Sequence, residues 1–221
     1  MTDFDQVEHT FFVQPIVDID TGSTLRYELL LRERCAAGWR LPSSFGLSFS
    51  DVRRLMWQAL ASLELKRLTL NVTVAQFVDA RFIDQLVTLR ENTPLLDCLH
   101  VELAALPDIA AMQRTARVLN SVGIRVTVDD VGAANLTEDV EDFFPYLHDI
   151  KYAMQNVRVP GNHADVEAQV GYWKRLADEY GLGFTLTGIE SHADVDVANQ
   201  LGITTGQGFY YGRPVLPGRM F

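Results

Sequence analysis

Residues 99–130, LHVELAALPDIAAMQRTARVLNSVGIRVTVDD, decide the reading of the fold. The run LHVEL (99–103) is short and β-rich. Residues 108–122 then repeat apolar side chains at helical spacing, and Gly123 suits the position just past a helix end. RVTV (125–128) is a second β-rich run. Both runs end on acid: Glu102 in the first, Asp129-Asp130 directly after the second. Upstream, LTLNV (68–72) predicts a strand with Asn71 near its end, followed by a helix over 75–89. Further upstream, residues 11–19 and 25–32 flank the polar turn Asp20-Thr21-Gly22-Ser23 and read as an antiparallel pair, with Glu28 near the end of its second member. Apolar residues from Val52 to Leu63 recur at helical spacing between these units. Downstream come a strand at 149–152 carrying Lys151, a helix at 166–180, a strand at 184–186 followed by Glu190, a helix at 193–201 and a last strand at 205–209 holding Gln207. Eight strand candidates alternating with helices predict an α/β fold, a (β/α)8 barrel with an antiparallel first strand. A doubly wound open sheet is the runner-up.

The chain has 221 residues, 48% of them hydrophobic and 22% charged. No linker-like or low-complexity stretch interrupts it, so one domain over residues 1–221 is expected, with trimmed loops because such barrels typically take about 250 residues. Nineteen basic against twenty-nine acidic residues give a formal charge of -10. No Lys/Arg cluster supplies the basic face that wraps a nucleic acid duplex. The acidic N-terminus does not read as a secretory signal, and no apolar run is long enough to insert in a membrane. Cys35 and Cys98 are too few for a disulfide framework, which points to a cytoplasmic protein with reduced thiols. The five histidines show no metal-ligand spacing.

Strands covered on both faces are nearly all apolar. Here a carboxylate or amide stands repeatedly at a strand's downstream end: Glu28, Asn71, Glu102, Asp129, Asp130 and Gln207, with Lys151 among them. Each has a bland alternative: Glu28 or Glu102 as a solvated strand-end charge, Asp129-Asp130 as a helix cap, Lys151 as the partner of Asp149. Taken together they converge on the face where barrels do their chemistry. Their oxygens need cations between them and suit Mg2+ or Mn2+.

These residues also carry a resemblance. QPIVDIDTGSTLRYELLLR (14–32), LTLNVT (68–73), HVELAAL (100–106), VTVDDVG (126–132), DIKYA (149–153) and TGQGFYYGRPV (205–215) follow the order and spacing of the EAL domain motifs. The chain resembles that family, a cyclic-di-GMP phosphodiesterase module of bacterial signalling, from Gln14 to Pro214. The resemblance implies a barrel with an antiparallel first strand. It assigns the first metal to Glu28, Asn71, Glu102 and Asp129, and to a second metal Asp129 with Asp130. It gives Lys151 the positioning of the attacking water, and Gln14, Arg32 and Gln207 the contacts to the dinucleotide. Glu190 would brace the neighbouring loop, and the product would be linear pGpG.

Two departures stand against full activity. The family's Glu-Gly-Val-Glu motif reads Thr187-Gly188-Ile189-Glu190, so a neutral hydroxyl replaces a ligand of the second metal, and that site is expected to be weak or empty. The loop after Asp130 reads VGAANLTEDVED, with Ala134 in place of a glycine. The favoured expectation is a degenerate EAL protein that binds cyclic-di-GMP at the barrel mouth with weak or lost hydrolysis. The alternatives are a fully active phosphodiesterase and a non-catalytic protein-interaction module. A homodimer and a protein partner are both compatible with the resemblance. The barrel is expected to use the whole chain, leaving no attached sensory or cyclase domain.

Overall fold

In the computed structural model, residues 8–132, 140–156, 158 and 166–219 are described. β1 (His9–Asp18) and β2 (Thr24–Cys35) form an antiparallel hairpin. Its turn is shaped by Asp18, whose carboxylate accepts from the backbone N–H and the hydroxyl of Thr21, both at 2.8 Å. β2 continues well past Glu28 and adds a short third strand, β3 (Gly38–Arg40), which the sequence reading did not anticipate. Buried Glu33 ties this extension down: one carboxylate oxygen accepts from Arg40 Nε at 2.7 Å, the other from the Ser43 N–H at 2.8 Å.

After α1 (Phe49–Ser62), five strands follow in parallel: β4 (Arg67–Asn71), β5 (Cys98–Leu103), β6 (Ile124–Val128), β7 (Asp149–Ala153) and β8 (Gly183–Thr187). The last strand, β9 (Thr205–Gly206), pairs parallel to β8 and antiparallel to β1. Because β1 also pairs with β2, and β2 runs parallel to β4, the sheet closes on itself. Closure removes the open-sheet alternative and gives the eight-stranded barrel with an antiparallel first strand.

The helices α4 (Ile109–Ser121), α5 (Val166–Glu179) and α6 (His192–Gln200) cover the outside. Asp108 caps α4 by accepting from the Ala111 N–H at 2.8 Å, and Gly123 takes φ 73° past its end, as the spacing predicted. The single helix expected over 75–89 is instead two, α2 (Val74–Val78) and α3 (Ala80–Glu91). Thr73 and Gln76 close a capping box on the first, and Asp79, in extended backbone, ends it and caps the second. Among the described residues, no helix is long and apolar enough to cross a membrane.

Period-two alternation divides the barrel strands. Leu68, Leu70, Leu99, Val101, Val126 and Ile150 are buried beneath the helices. The alternate positions carry Thr69, His100, Glu102, Thr127, Asp149 and Lys151, also buried, which face the lumen. Barrel interiors are usually filled by branched aliphatic residues. Here the lumen is polar in two successive layers, and the upper layer is the site.

Candidate active site at the barrel mouth

Lys151 lies at the centre of the upper layer, 2% exposed. Its ammonium donates to Glu102 Oε1 at 2.8 Å and to Glu28 Oε2 at 3.0 Å, and Asp129 Oδ1 stands 3.8 Å away. Asn71 Nδ2 donates to Glu28 Oε1 at 2.8 Å, and Gln207 Nε2 donates to Glu28 Oε2 at 2.8 Å. Gln14 joins through its Oε1, 3.3 Å from Gln207 Nε2, while its own Nε2 donates to the Gly212 carbonyl at 2.9 Å. Residues from β1, β2, β4, β5 and β7 and from the segments just after β6 and β9 thus meet at one end of the barrel.

Burial and charge divide the carboxylates. Burial pushes Glu28 up, but the Lys151 charge and the hydrogen bonds from Asn71 and Gln207 outweigh it and leave its carboxyl below the usual range. Glu102 is held well above that range by burial and by the nearby charges of Glu28 and Asp129, which Lys151 only partly offsets. Asp129 is raised mainly by burial. For Lys151, burial opposes the charge, yet Asp129, Glu102 and Glu28 together raise its pKa above the ordinary lysine value. Three carboxylates thus face one ammonium, so acidic groups outnumber basic ones in this largely buried layer.

Asp130 adopts φ 57°, a left-handed conformation that aspartate tolerates better than most residues. Its Oδ1 accepts from Asn156 Nδ2 at 3.0 Å. Thr187 Oγ1 is 3.4 Å from the Tyr152 carbonyl, to which it donates. Glu190 is exposed, and its backbone N–H donates to Asp194 Oδ2 at 2.8 Å. Asp194 also accepts from the Ser191 N–H at 3.0 Å and pairs with Arg158, so it braces this turn. Arg32 lies beside the mouth, donating to the Leu31 carbonyl at 2.8 Å with its guanidinium 5.7 Å from the Phe12 ring centre. Ala134 and most of residues 157–165 lie outside the described residues.

Two openings meet at Glu28 and Asp129. One, of about 210 Å³, is lined by Gln14, Lys151, Gln155, Thr187, Gln207 and Phe209. The other, of about 520 Å³, runs under the β2–β3 extension and is mostly apolar, with Leu30, Leu41, Phe45 and Leu47 facing Arg32 and Asn71. Two features here were not singled out from sequence. Arg213 stacks over exposed Phe209 at 4.2 Å, and the apolar groove lies beside a hairpin extension turned at Ala36-Ala37, with Gly38 at φ 123°.

The donor chemistry fits one divalent cation. Glu102 Oε2 is buried without a hydrogen-bond partner, the donors are hard oxygens, and acidic groups outnumber basic ones. Among the described residues, no three His, Cys, Asp or Glu side chains are gathered as a ready metal cage, because the Lys151 ammonium stands between the carboxylates. Around Asp130 and Thr187 the donors turn instead to Asn156 and to a backbone carbonyl.

The comparisons agree with this architecture. The chain covers 96% of itself and 99% of the PaMucR phosphodiesterase in its c-di-GMP complex, at 20% identity and TM-score 0.80. For a standalone versatile EAL protein from Vibrio cholerae O395, c-di-GMP bound, the coverage is 96% and 94%, at 19% identity and TM-score 0.74. The EAL enzyme Bd1971, bound to cAMP and cyclic-di-GMP, is 23% identical with TM-score 0.78; this chain covers 96% of its own length but 63% of that protein's. No protein of curated function matches the sequence. The EAL domain family model matches residues 2–214, and the chain therefore belongs to the EAL domain family.

Proposed function

We propose that this protein binds cyclic-di-GMP at the barrel mouth and hydrolyses it slowly or not at all. The observation that carries the reading is the convergence of Glu28, Glu102, Asp129 and Lys151 at the mouth, with the hydroxyl of Thr187 where the resemblance calls for a carboxylate. Gln207 and Gln14 offer amide groups, and Arg32 a guanidinium, to the dinucleotide's polar edges and phosphates. Glu28, Asn71, Glu102 and Asp129 would hold a single Mg2+ or Mn2+ ion. Such an ion lowers the pKa of a coordinated water and stabilises charge on the phosphoryl oxygens. Lys151 keeps a positive charge beside that position, and its ammonium donates to whatever acceptor, a water oxygen included, enters between Glu28 and Glu102. Asp130 and Thr187, already engaged with Asn156 and Tyr152, give little hold to a second cation. With that clamp lost, hydrolysis to linear pGpG is expected to fall far below two-metal rates.

The proposed setting is the cytoplasm, consistent with Cys35 and Cys98 standing unpaired. The acidic chain would suit a basic protein partner, and a homodimer is equally open to it. The decisive assay incubates equimolar protein and cyclic-di-GMP with Mn2+ and separates the products by chromatography, with Asp129→Ala run alongside. The expected result is retained dinucleotide, or linear product forming over hours and abolished in Asp129→Ala. Rapid turnover would make it a fully active phosphodiesterase. No calorimetric binding in Ca2+ would leave the interaction module.

A further inference from the structure

Arg26 is the lumen charge that the proposed function leaves without a task. It precedes Glu28 by two residues on β2, so the pleat puts both side chains on the same face about 7 Å apart. Arg26 is only 9% exposed. Its Nη2 reaches Thr185 Oγ1 at 3.4 Å, and its Nε is buried with no hydrogen-bond partner. Among the described residues no carboxylate stands within ion-pair distance of it; Asp149, in the same lower layer, lies 3.3 Å from His100 Nδ1 instead. The other charged groups that His100 feels there are Arg67 and Arg125, also cations, with His148 beside them. A buried guanidinium without a partner is costly unless a nearby negative field offsets it. Asp149 is engaged by His100, and the larger group of carboxylates is the acid layer directly above, where Lys151 bonds Glu28 and Glu102 and stands 3.8 Å from Asp129.

We propose that Arg26 is a resident counter-ion of the acid cluster: a positioning residue that holds the carboxylates in the metal-free barrel and weakens their affinity for a divalent cation. It rests on the reading that those carboxylates hold one such ion, and not on dinucleotide binding or hydrolysis. A dication entering above Arg26 meets a fixed positive charge through a lumen that screens poorly.

The test is a Mn2+ titration of the full chain without dinucleotide, following free Mn2+ by electron paramagnetic resonance and heat by calorimetry. Arg26→Met is expected to bind Mn2+ at least ten-fold more tightly than the unmodified protein, and Arg26→Lys, which keeps the charge, to stay within a few-fold of it. Equal or weaker binding in Arg26→Met overturns the proposal. Equal tightening in both variants overturns it too, because space rather than charge would be responsible. If Arg26→Met fails to fold, Arg26→Gln is measured against the same outcomes. Asp129→Ala separates the two readings: it must lose Mn2+ binding, and if it does not, the assignment of the site fails and takes the role of Arg26 with it.

Discussion

At His100 the lower lumen layer holds an imidazole that stays neutral. Its Nδ1 lies 3.2 Å from Thr127 Oγ1 and 3.3 Å from Asp149 Oδ2. Burial first, and then the charges of Arg26, Arg125, His148 and Arg67, depress its pKa to about 2. In the unfolded chain the same ring titrates near 6.5, so below that pH the unfolded state binds a proton that the folded state refuses. Stability is therefore lost as pH falls through 6.5, by up to about 1.4 kcal/mol per pH unit. His148, lowered mainly by burial, acts in the same direction, whereas Glu102, whose folded form holds its proton to higher pH, acts in the opposite one. Urea unfolding at pH 7 and pH 5 should show a smaller loss, or a larger gain, on acidification in His100→Gln than in the unmodified protein, whatever that variant's absolute stability. Parallel changes in the two proteins would remove His100 as the cause.

Among the elements, the crossing between the turn after β8 and the segment after β9 places Gln207. The Gln207 N–H donates to the Leu186 carbonyl at 2.9 Å, the Ile189 N–H donates to the Gln207 carbonyl at 3.1 Å, and the Tyr210 N–H donates to the Ile189 carbonyl at 3.0 Å. Two backbones pass so closely that a Cβ at position 208 would fall inside the Ile189 carbonyl and amide. Backbone cannot give way as a flexible side chain can. Gly208→Ala should therefore cost several kcal/mol, in the range of overpacked or strained core sites, and should displace Gln207 from Glu28. A thermal melt within a degree of the unmodified protein would refute this account of the crossing. Gly181, by contrast, has φ 69° with open space around its Cα, so its role is conformational only.

On the scale of the whole molecule, closure of the sheet concentrates charge. A chain of formal charge -10 gathers Glu28, Asp129 and Glu190 around an opening where, among the described lining residues, Lys151 is the one cation, with Arg32 and Arg213 beside it. A dianionic dinucleotide approaching that opening without metal is repelled, and salt screens the repulsion. In EDTA, cyclic-di-GMP binding is therefore expected to tighten as NaCl rises from 50 to 300 mM. With saturating Mg2+ the trend should vanish or reverse, because the cation inverts the local sign. Calorimetry over that salt series checks the prediction, and weakening with salt in EDTA would contradict it.

Much of this was legible before the fold was known. Strand periodicity, the glycines after α4, α5 and α6, and the strand-end positions of Asn71, Glu102 and Asp129 are written in near neighbours, where backbone sterics and side-chain alternation act. Those local rules sufficed for the barrel. They failed at Asp79, where a second cap splits a continuous apolar pattern into α2 and α3, and at β3, whose pairing depends on Glu33 gripping Arg40 and Ser43 from across the hairpin. Nor could they assign partners. Lys151 meets Glu28 across 123 positions of chain, and Arg26 reaches Thr185 across 159. That Lys151 takes Glu28 and Glu102 rather than Asp149, that Thr187 turns to Tyr152, and that Arg26 has no ion-pair partner among the described residues were decided only when the sheet closed. Closure sets distances between strands that no spacing along the chain contains, and in a lumen of low dielectric those distances determine which charges are satisfied.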